Sequence, residues 1–274
     1  MHPLISDITL GQFLPGKSVL HRMDARVKIA LTFLFILFIF IANNFPSLGL
    51  MVLLAAVSIG LSGVPARQYL KSLKAVVFVV LLTSVLNLFY GGGRLLLQIG
   101  FMQIRTGGVV NSVFIAVRII SLILFSSVLT FTTSPTDLTD ALERIMKPLK
   151  FFHIKVHEIA MMMTIALRFV PTLLEETDKI MSAQKARGAD LESGGFTQRI
   201  RALIPILIPL FVSSFRRAYE LAMAMECRCY RGGEGRTKMK SLHMTRLDGA
   251  AIAFSSAVCL GVVLCAALLP SVFG

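Results

Sequence analysis

Charge is missing from long stretches of this chain. No Asp, Glu, Lys or Arg occurs from Ile29 to Ala66, from Ala75 to Gly93 or from Gly249 to Gly274, and only Arg118 interrupts Thr106 to Thr136. Apolar runs of this length are the pattern of helices that cross a bilayer. Within the first run, Asn43-Asn44-Phe45-Pro46-Ser47 is a turn signal, so two short spans are expected near 29–42 and 48–64. Further spans fall near 75–91, 109–132 and 249–272. The first two are short against the roughly 20 residues a bilayer usually needs. Snorkelling of Arg26 and Lys28, or local thinning, absorbs the mismatch.

Between the fourth and fifth spans the pattern changes. Thr133-Ser134-Pro135-Thr136-Asp137 offers a hydroxyl cap, a proline at the first helical position and an acid in the first turn, which predicts a helix stopping at Lys147-Pro148. Two longer helices are expected over about 155–186 and 197–228, separated by the breaker Leu191-Glu192-Ser193-Gly194-Gly195. Each has a nearly uncharged first half, Ile159 to Leu174 and Ala202 to Phe215, and a charged second half. Arg168 and Pro171 interrupt one apolar half, and Pro205 and Pro209 the other. Both are therefore read as helices on the inner membrane surface, apolar face up and kinked at proline; a hairpin of two true spans is the alternative. The expected fold is an all-α integral membrane bundle of about five spans with an interfacial or cytoplasmic insert of three helices. The segments are 1–132 with spans one to four, 133–247 as the insert and 248–274 as the last span.

Composition agrees with a bilayer as the main solvent: 55% of the 274 residues are hydrophobic, only 16% are charged and none is Trp. The mean hydropathy is +0.76. Charge then sets orientation. Arg22, Arg26 and Lys28 precede the first span, Arg67, Lys71 and Lys74 lie between the second and third, and the insert holds most of the rest. By the positive-inside rule the amino terminus and the insert are cytoplasmic and the carboxyl terminus extracellular. The net charge of +13 is thus topological and gives no support for nucleic-acid binding. The first apolar run lacks a small-residue cleavage site and reads as a signal anchor. Four cysteines are too few for a disulfide framework, and the C-x-C of Cys227 and Cys229 is a poor zinc site without a second ligand pair.

Gly11-Gln12-Phe13-Leu14-Pro15-Gly16-Lys17-Ser18 satisfies the phosphate-loop pattern G-x-x-x-x-G-K-[ST]. That chemistry needs a preceding parallel strand and a soluble α/β domain, and a span begins about ten residues later, so the match is read as coincidence. A second pattern occurs twice. One long helix ends Gln184-Lys185-Ala186-Arg187-Gly188, the other Met225-Glu226-Cys227-Arg228-Cys229-Tyr230-Arg231-Gly232-Gly233. Each puts an arginine between small residues at a helix carboxyl end. There it can simply complement the helix dipole, or the small neighbours can let the tip enter a groove on another protein, where the guanidinium fork pairs with carboxylate or carbonyl oxygens.

These repeated ends, the opening His21-Arg22-Met23-Asp24-Ala25-Arg26-Val27-Lys28 and Thr133-Ser134-Pro135 resemble the transmembrane T component of energy-coupling factor (ECF) transporters over nearly the whole chain. The resemblance implies vitamin uptake by a complex of the T component, two ABC-type ATPases that bind the ATP and a small membrane-embedded substrate-binding S component. It also implies that Ala186-Arg187-Gly188 and Cys227-Arg228-Cys229 dock into the ATPases, making the insert a coupling domain. Two departures stand out: Cys-Arg-Cys where Ala-Arg-Gly is common, and Ala25 where proline is usual. Met161, Met162 and Met163, with Pro171, Pro205 and Pro209, are candidates for the S-component surface, because methionine makes a deformable apolar face; filling of an irregular interior is the plainer role.

The remaining features are expected to be structural. His153 and His157, spaced i, i+4, would share a helix face, but no third ligand accompanies them. Arg118, inside a span, is costly unless partnered: it marks a function, or it snorkels or bonds across helices. The glycine-rich stretch after Arg231 is read as a helix stop followed by a basic return to the membrane. No catalytic constellation is visible, so the chain is expected to be a transducer without cofactor or metal. A conventional ABC permease subunit would need one coupling loop, and a lipid-modifying membrane enzyme would need clustered acids at the membrane boundary.

Overall fold

Helices form over the apolar runs and stop at the turn residues between them. The computed structural model describes residues 13–89, 92, 95–99, 102–189, 195–232 and 243–269. The elements among these are α1 (Val19–Arg22), α2 (Ala25–Ile41), α3 (Phe45–Ser62), α4 (Ala66–Leu88), β1 (Leu95–Ile99), β2 (Met102–Arg105), α5 (Thr106–Thr132), α6 (Pro135–Ile145), a 3-10 turn (Lys147–Phe152), α7 (Val156–Ala186), α8 (Phe196–Cys227) and α9 (Arg246–Leu268). The caps follow from local chemistry. Asp24 accepts from Arg26 N at 2.9 Å ahead of α2, Asn44 N donates to Ser47 Oγ at 3.2 Å ahead of α3, and Ser134 Oγ accepts from Asp137 N at 3.1 Å ahead of α6.

Two units divide the chain, residues 11–141 with 241–274 and residues 142–240. The first is a bundle of α2, α3, α4, α5 and α9. Phe35, Ile39, Met51, Leu54, Phe125 and Val262 form its centre, with the Phe35 and Phe125 rings 4.9 Å apart. A second cluster joins Val64 and Tyr69 to Val128 and Phe131, and the Tyr69 hydroxyl donates to Ser62 Oγ at 2.9 Å. Helices α4 and α5 make the closest pair. A Cβ on Gly108 would collide with Leu88 O, and the Ser112 hydroxyl donates to Ser84 O at 2.8 Å. Small residues permit this approach where lipid tails offer no hydrophobic drive for association.

Polar contacts assign the helix ends of the bundle to two faces. On one face Asp24 N donates to Asp248 Oδ1 at 2.9 Å, and Lys28 Nζ donates to Thr132 O at 2.8 Å. On the other, Asn44 Nδ2 donates to Cys265 O and Leu269 O at 3.0 and 2.7 Å, and Arg118 donates to Ala42 O at 2.5 Å. The starts of α2 and α9 and the end of α5 therefore share a face. Thr132, at the end of α5, and Thr245, ahead of α9, thus both lie on that face.

Among the described residues six helices are long and apolar enough to cross a membrane: α3, α4, α5, α7, α8 from Arg201, and α9. This set differs from the five expected spans. The expected span at 29–42 is α2, which at 17 residues is about 26 Å long, short of a usual span. Helices α7 and α8, expected on the surface, run unbroken for 31 and 32 residues, with Pro171, Pro205 and Pro209 inside them. Between the expected third and fourth spans β1 and β2 pair antiparallel, Ile99 with Met102 and Leu97 with Ile104. One expectation is corrected. His153 does not share a helix face with His157: it caps the 3-10 turn with φ of 59°, while His157 lies in α7 and its Nδ1 is 3.0 Å from Glu143 Oε1.

Candidate functional site

Both long helices of the second unit end in the same closed turn. At α7, Gly188 N donates to Lys185 O and Ala189 N to Gln184 O, each at 3.0 Å. At α8, Cys229 N donates to Glu226 O at 2.8 Å and Tyr230 N to Met225 O at 3.0 Å. Each is a Schellman motif, with the arginine at the C-cap and the next residue left-handed. Gly188 has φ of 85° and Cys229 has φ of 54°. Arg187 and Arg228 thus occupy equivalent positions, both exposed, and Ala186, Cys227 and Cys229 beside them are exposed too. The closed turn satisfies the last carbonyls internally, which leaves the guanidinium groups available to an outside acceptor.

The departure from Ala-Arg-Gly has a conformational cost. A Cβ at left-handed φ is disfavoured by about 1 kcal/mol, and glycine avoids it. Cys229→Gly is expected to slow hydrogen exchange of the Tyr230 amide. Gly188→Val, which would place a β-branched residue at φ of 85°, is expected to speed exchange at Ala189. Equal exchange rates in the parent and both variants would contradict this account.

The two ends belong to one antiparallel pair. Arg217 of α8 donates to Glu176 Oε2 at 2.7 Å, and Gln184 Nε2 of α7 donates to Pro205 O at 3.3 Å. Moving toward the carboxyl end of α7 therefore moves toward the amino end of α8. An apolar groove of about 280 Å³ follows the contact, lined by Ile165, Phe169 and Leu173 and by Leu221, Ala222 and Met225. The S-surface candidates are not gathered into one patch. Met161, Met162 and Met163 stand in the early turns of α7, the latter two exposed. Pro171 is exposed midway along α7, and Pro205 and Pro209 are exposed early in α8.

Other singled-out residues have structural surroundings. Arg118 donates to the carbonyl of Ala42, the C-cap of α2, and its guanidinium carbon lies 4.9 Å from the Phe114 ring centroid. The cation thus meets the negative end of the α2 dipole and an aromatic face. Of the phosphate-loop match, Gly11 and Gln12 lie outside the described residues. Ser18 caps the four-residue α1 and lies 2.7 Å from His21 Nδ1, while His21 Nε2 lies 2.8 Å from Leu14 O. Of the glycine-rich stretch, Gly232 is left-handed with φ of 86°, and residues 233–242 lie outside the described residues.

Two groups of residues were missed from sequence. The buried cluster of Asp24, Lys28 and Asp248 joins residues 224 positions apart, and no local pattern announces it. The Glu176–Arg217 pair did leave a signal: at the 41-residue offset that superposes Arg187 on Arg228, Glu175-Glu176 falls on Arg216-Arg217.

Residues 16–239 match the family model described as a cobalt transport protein, CbiQ. The chain is also similar to proteins named energy-coupling factor transporter transmembrane protein EcfT. That of Ruminiclostridium cellulolyticum is 50% identical over 245 residues, 89% of this chain and 92% of the relative. That of Clostridium kluyveri is 47% identical over 272 residues, 98% and 99% of the two chains. That of Bacillus subtilis is 45% identical over 250 residues, 91% and 94%.

Proposed function

This chain belongs to the family of energy-coupling factor transporter transmembrane proteins, and from that membership we propose that it links two ABC-type ATPases to a membrane-embedded S component that carries a vitamin or similar micronutrient. One observation carries the proposal: two helix ends of identical closed geometry, each presenting an exposed arginine, on opposite strokes of one antiparallel pair. A subunit that grips two partners needs two such ends, whereas a conventional permease chain needs one. ATP would be bound and hydrolysed by the partners. Closure of the ATPases would move the ends bearing Arg187 and Arg228, and α7 and α8 would carry that motion to the S component along the surface that includes Met161, Met162, Met163, Pro171, Pro205 and Pro209.

The protein is multi-pass, and its orientation in the cell membrane is part of the proposal. The bundle face holding Asp24, Lys28, Thr132 and Asp248 also carries Arg22, Arg26, Arg67 and Arg246 at helix starts and ends, so the positive-inside rule makes it cytoplasmic. The amino terminus and the insert are then inside and the carboxyl terminus outside. Purification with its partners is expected to yield two ATPase copies per chain, and a thiol introduced by Lys150→Cys, an exposed position, should react with a membrane-impermeant reagent only after the cells are opened. One ATPase per chain, or labelling of intact cells, would overturn the respective half of the proposal.

A further inference from the structure

Aligned on their capping arginines, the sequences of α7 and α8 are offset by 41 residues, and at that offset two charges in a row are opposite: Glu175-Glu176 in one, Arg216-Arg217 in the other. Arg217 Nη2 donates to Glu176 Oε2 at 2.7 Å, so the bond joins equivalent positions of the two helices. Each partner sits 11 residues before its capping arginine, Glu176 before Arg187 and Arg217 before Arg228. At the helical rise this makes two arms of about 16 Å each. Because the pairing is antiparallel, the arms run in opposite directions from the bond.

We infer that the Glu176–Arg217 ion pair is the pivot of the two arms and sets the separation and relative angle of the two arginine ends. The inference rests on the reading of those ends as the ATPase contacts. The pair is suited to this role by its surroundings. The Glu176 and Arg217 side chains are only 21% and 34% exposed, and Arg217 borders the apolar groove lined by Phe169, Leu173 and Leu221. A charge-assisted bond beside apolar surface is stronger and more directional than one in water, and loss of either partner strands the other there. Packing of Ile165, Phe169 and Leu173 against Leu221, Ala222 and Met225 holds the helices together but tolerates sliding and rotation; of the two polar bonds described between them, Gln184 to Pro205 is exposed and 3.3 Å long, and the ion pair is the shorter, charged and more buried one about which they turn. Glu176 and Arg217 are therefore positioning residues, acting through Arg187 and Arg228.

A charge exchange in the complete transporter tests this. Glu176→Arg and Arg217→Glu, each alone, should leave two ATPases bound and hydrolysing ATP, because each capping arginine still meets its own partner. Substrate uptake per ATP hydrolysed should fall on the order of tenfold, as expected when one member of an interacting pair is reversed. The double exchange, Glu176→Arg with Arg217→Glu, should restore the ratio to within about twofold. Glu175→Arg, at an exposed position on the same helix, should leave it unchanged. A normal ratio in either single reversal, or no recovery in the double exchange, overturns the inference. If a single reversal fails to assemble, the double exchange decides in the same way. Failure of the docking reading shows separately, as retention of the ATPases when the capping arginines themselves are reversed.

Discussion

Arg187→Glu combined with Arg228→Glu is expected to release both ATPases from the complex, or to leave them unable to drive uptake, while the chain still inserts in the membrane. Both arginines stand at the C-cap of a Schellman turn whose carbonyls are already satisfied, so neither holds its own helix together. Their exposure and the small residues around them fit a contact made with another protein. Breaking a buried, hydrogen-bonded charge contact at an interface costs roughly 2–5 kcal/mol, much of it from the partner group left unpaired. Two such losses weaken the assembly by more than about a thousandfold. Reversal should do more harm than truncation to alanine, and each single reversal should be milder because the other end still holds. Arg231, exposed just beyond the second turn, serves as the control; as a charge near a membrane surface it contributes about 1 kcal/mol. The measurements are co-purification of the ATPases and uptake of substrate. Wild-type values in the double reversal, or equal damage from Arg231→Glu, would show that no specific docking occurs.

The second large effect is expected in the bundle. Asp248 is fully buried and accepts three hydrogen bonds, from Asp24 N at 2.9 Å, Thr245 N at 2.7 Å and the Thr245 hydroxyl at 2.8 Å. It also lies within electrostatic reach of the buried Lys28, as do Asp24 and Asp137. Asp248→Ala removes acceptor and charge together, leaving buried donors beside an undercompensated cation. The expected loss is about 3–5 kcal/mol. Asp248→Asn, which keeps an acceptor of the same shape, should lose less. The denaturation midpoint of the purified chain in detergent reads the difference, and midpoints of both variants equal to the parent's would show that charge and hydrogen bonding at this site do not matter.

Much of the fold was legible because membrane segments announce themselves locally. The uncharged runs became α3, α4, α5 and α9, and the Asn43–Ser47 turn, the Ser134-Pro135 cap and the Gly188 stop fell where their chemistry places them, while α8 stops at a left-handed Cys229, three residues before Gly232. Periodicity and capping are properties of neighbouring residues. What was not legible depends on partners far along the chain: the Asp24–Asp248 bond, the Asn44 bonds to Cys265 and Leu269, and the antiparallel seating of α7 on α8. Pro171, Pro205 and Pro209, read as kink sites, lie inside helices that run over the expected residues without a break. The arginine ends were legible as a repeated motif, but their identical turn geometry, including a left-handed cysteine, was not. Arg118 was legible as an anomaly, and only its bond to Ala42 shows that it caps α2.

The bonds that tie α9 to α2 and α3 also dictate a sequence of events during synthesis. Asp24 and Asn44 find their partners 224 and 225 positions later, the second of these in Leu269. On the ribosome, α2 to α5 are made before α9, the helix that both of these bonds reach. The roughly 110 residues that separate α5 from α9 emerge first, which at typical elongation rates takes about 5–20 s. Until then the contacts of Asp24 and Asn44 with α9 and its cap cannot form. Helix α9, made after the helices it binds, is thus the keystone that locks them.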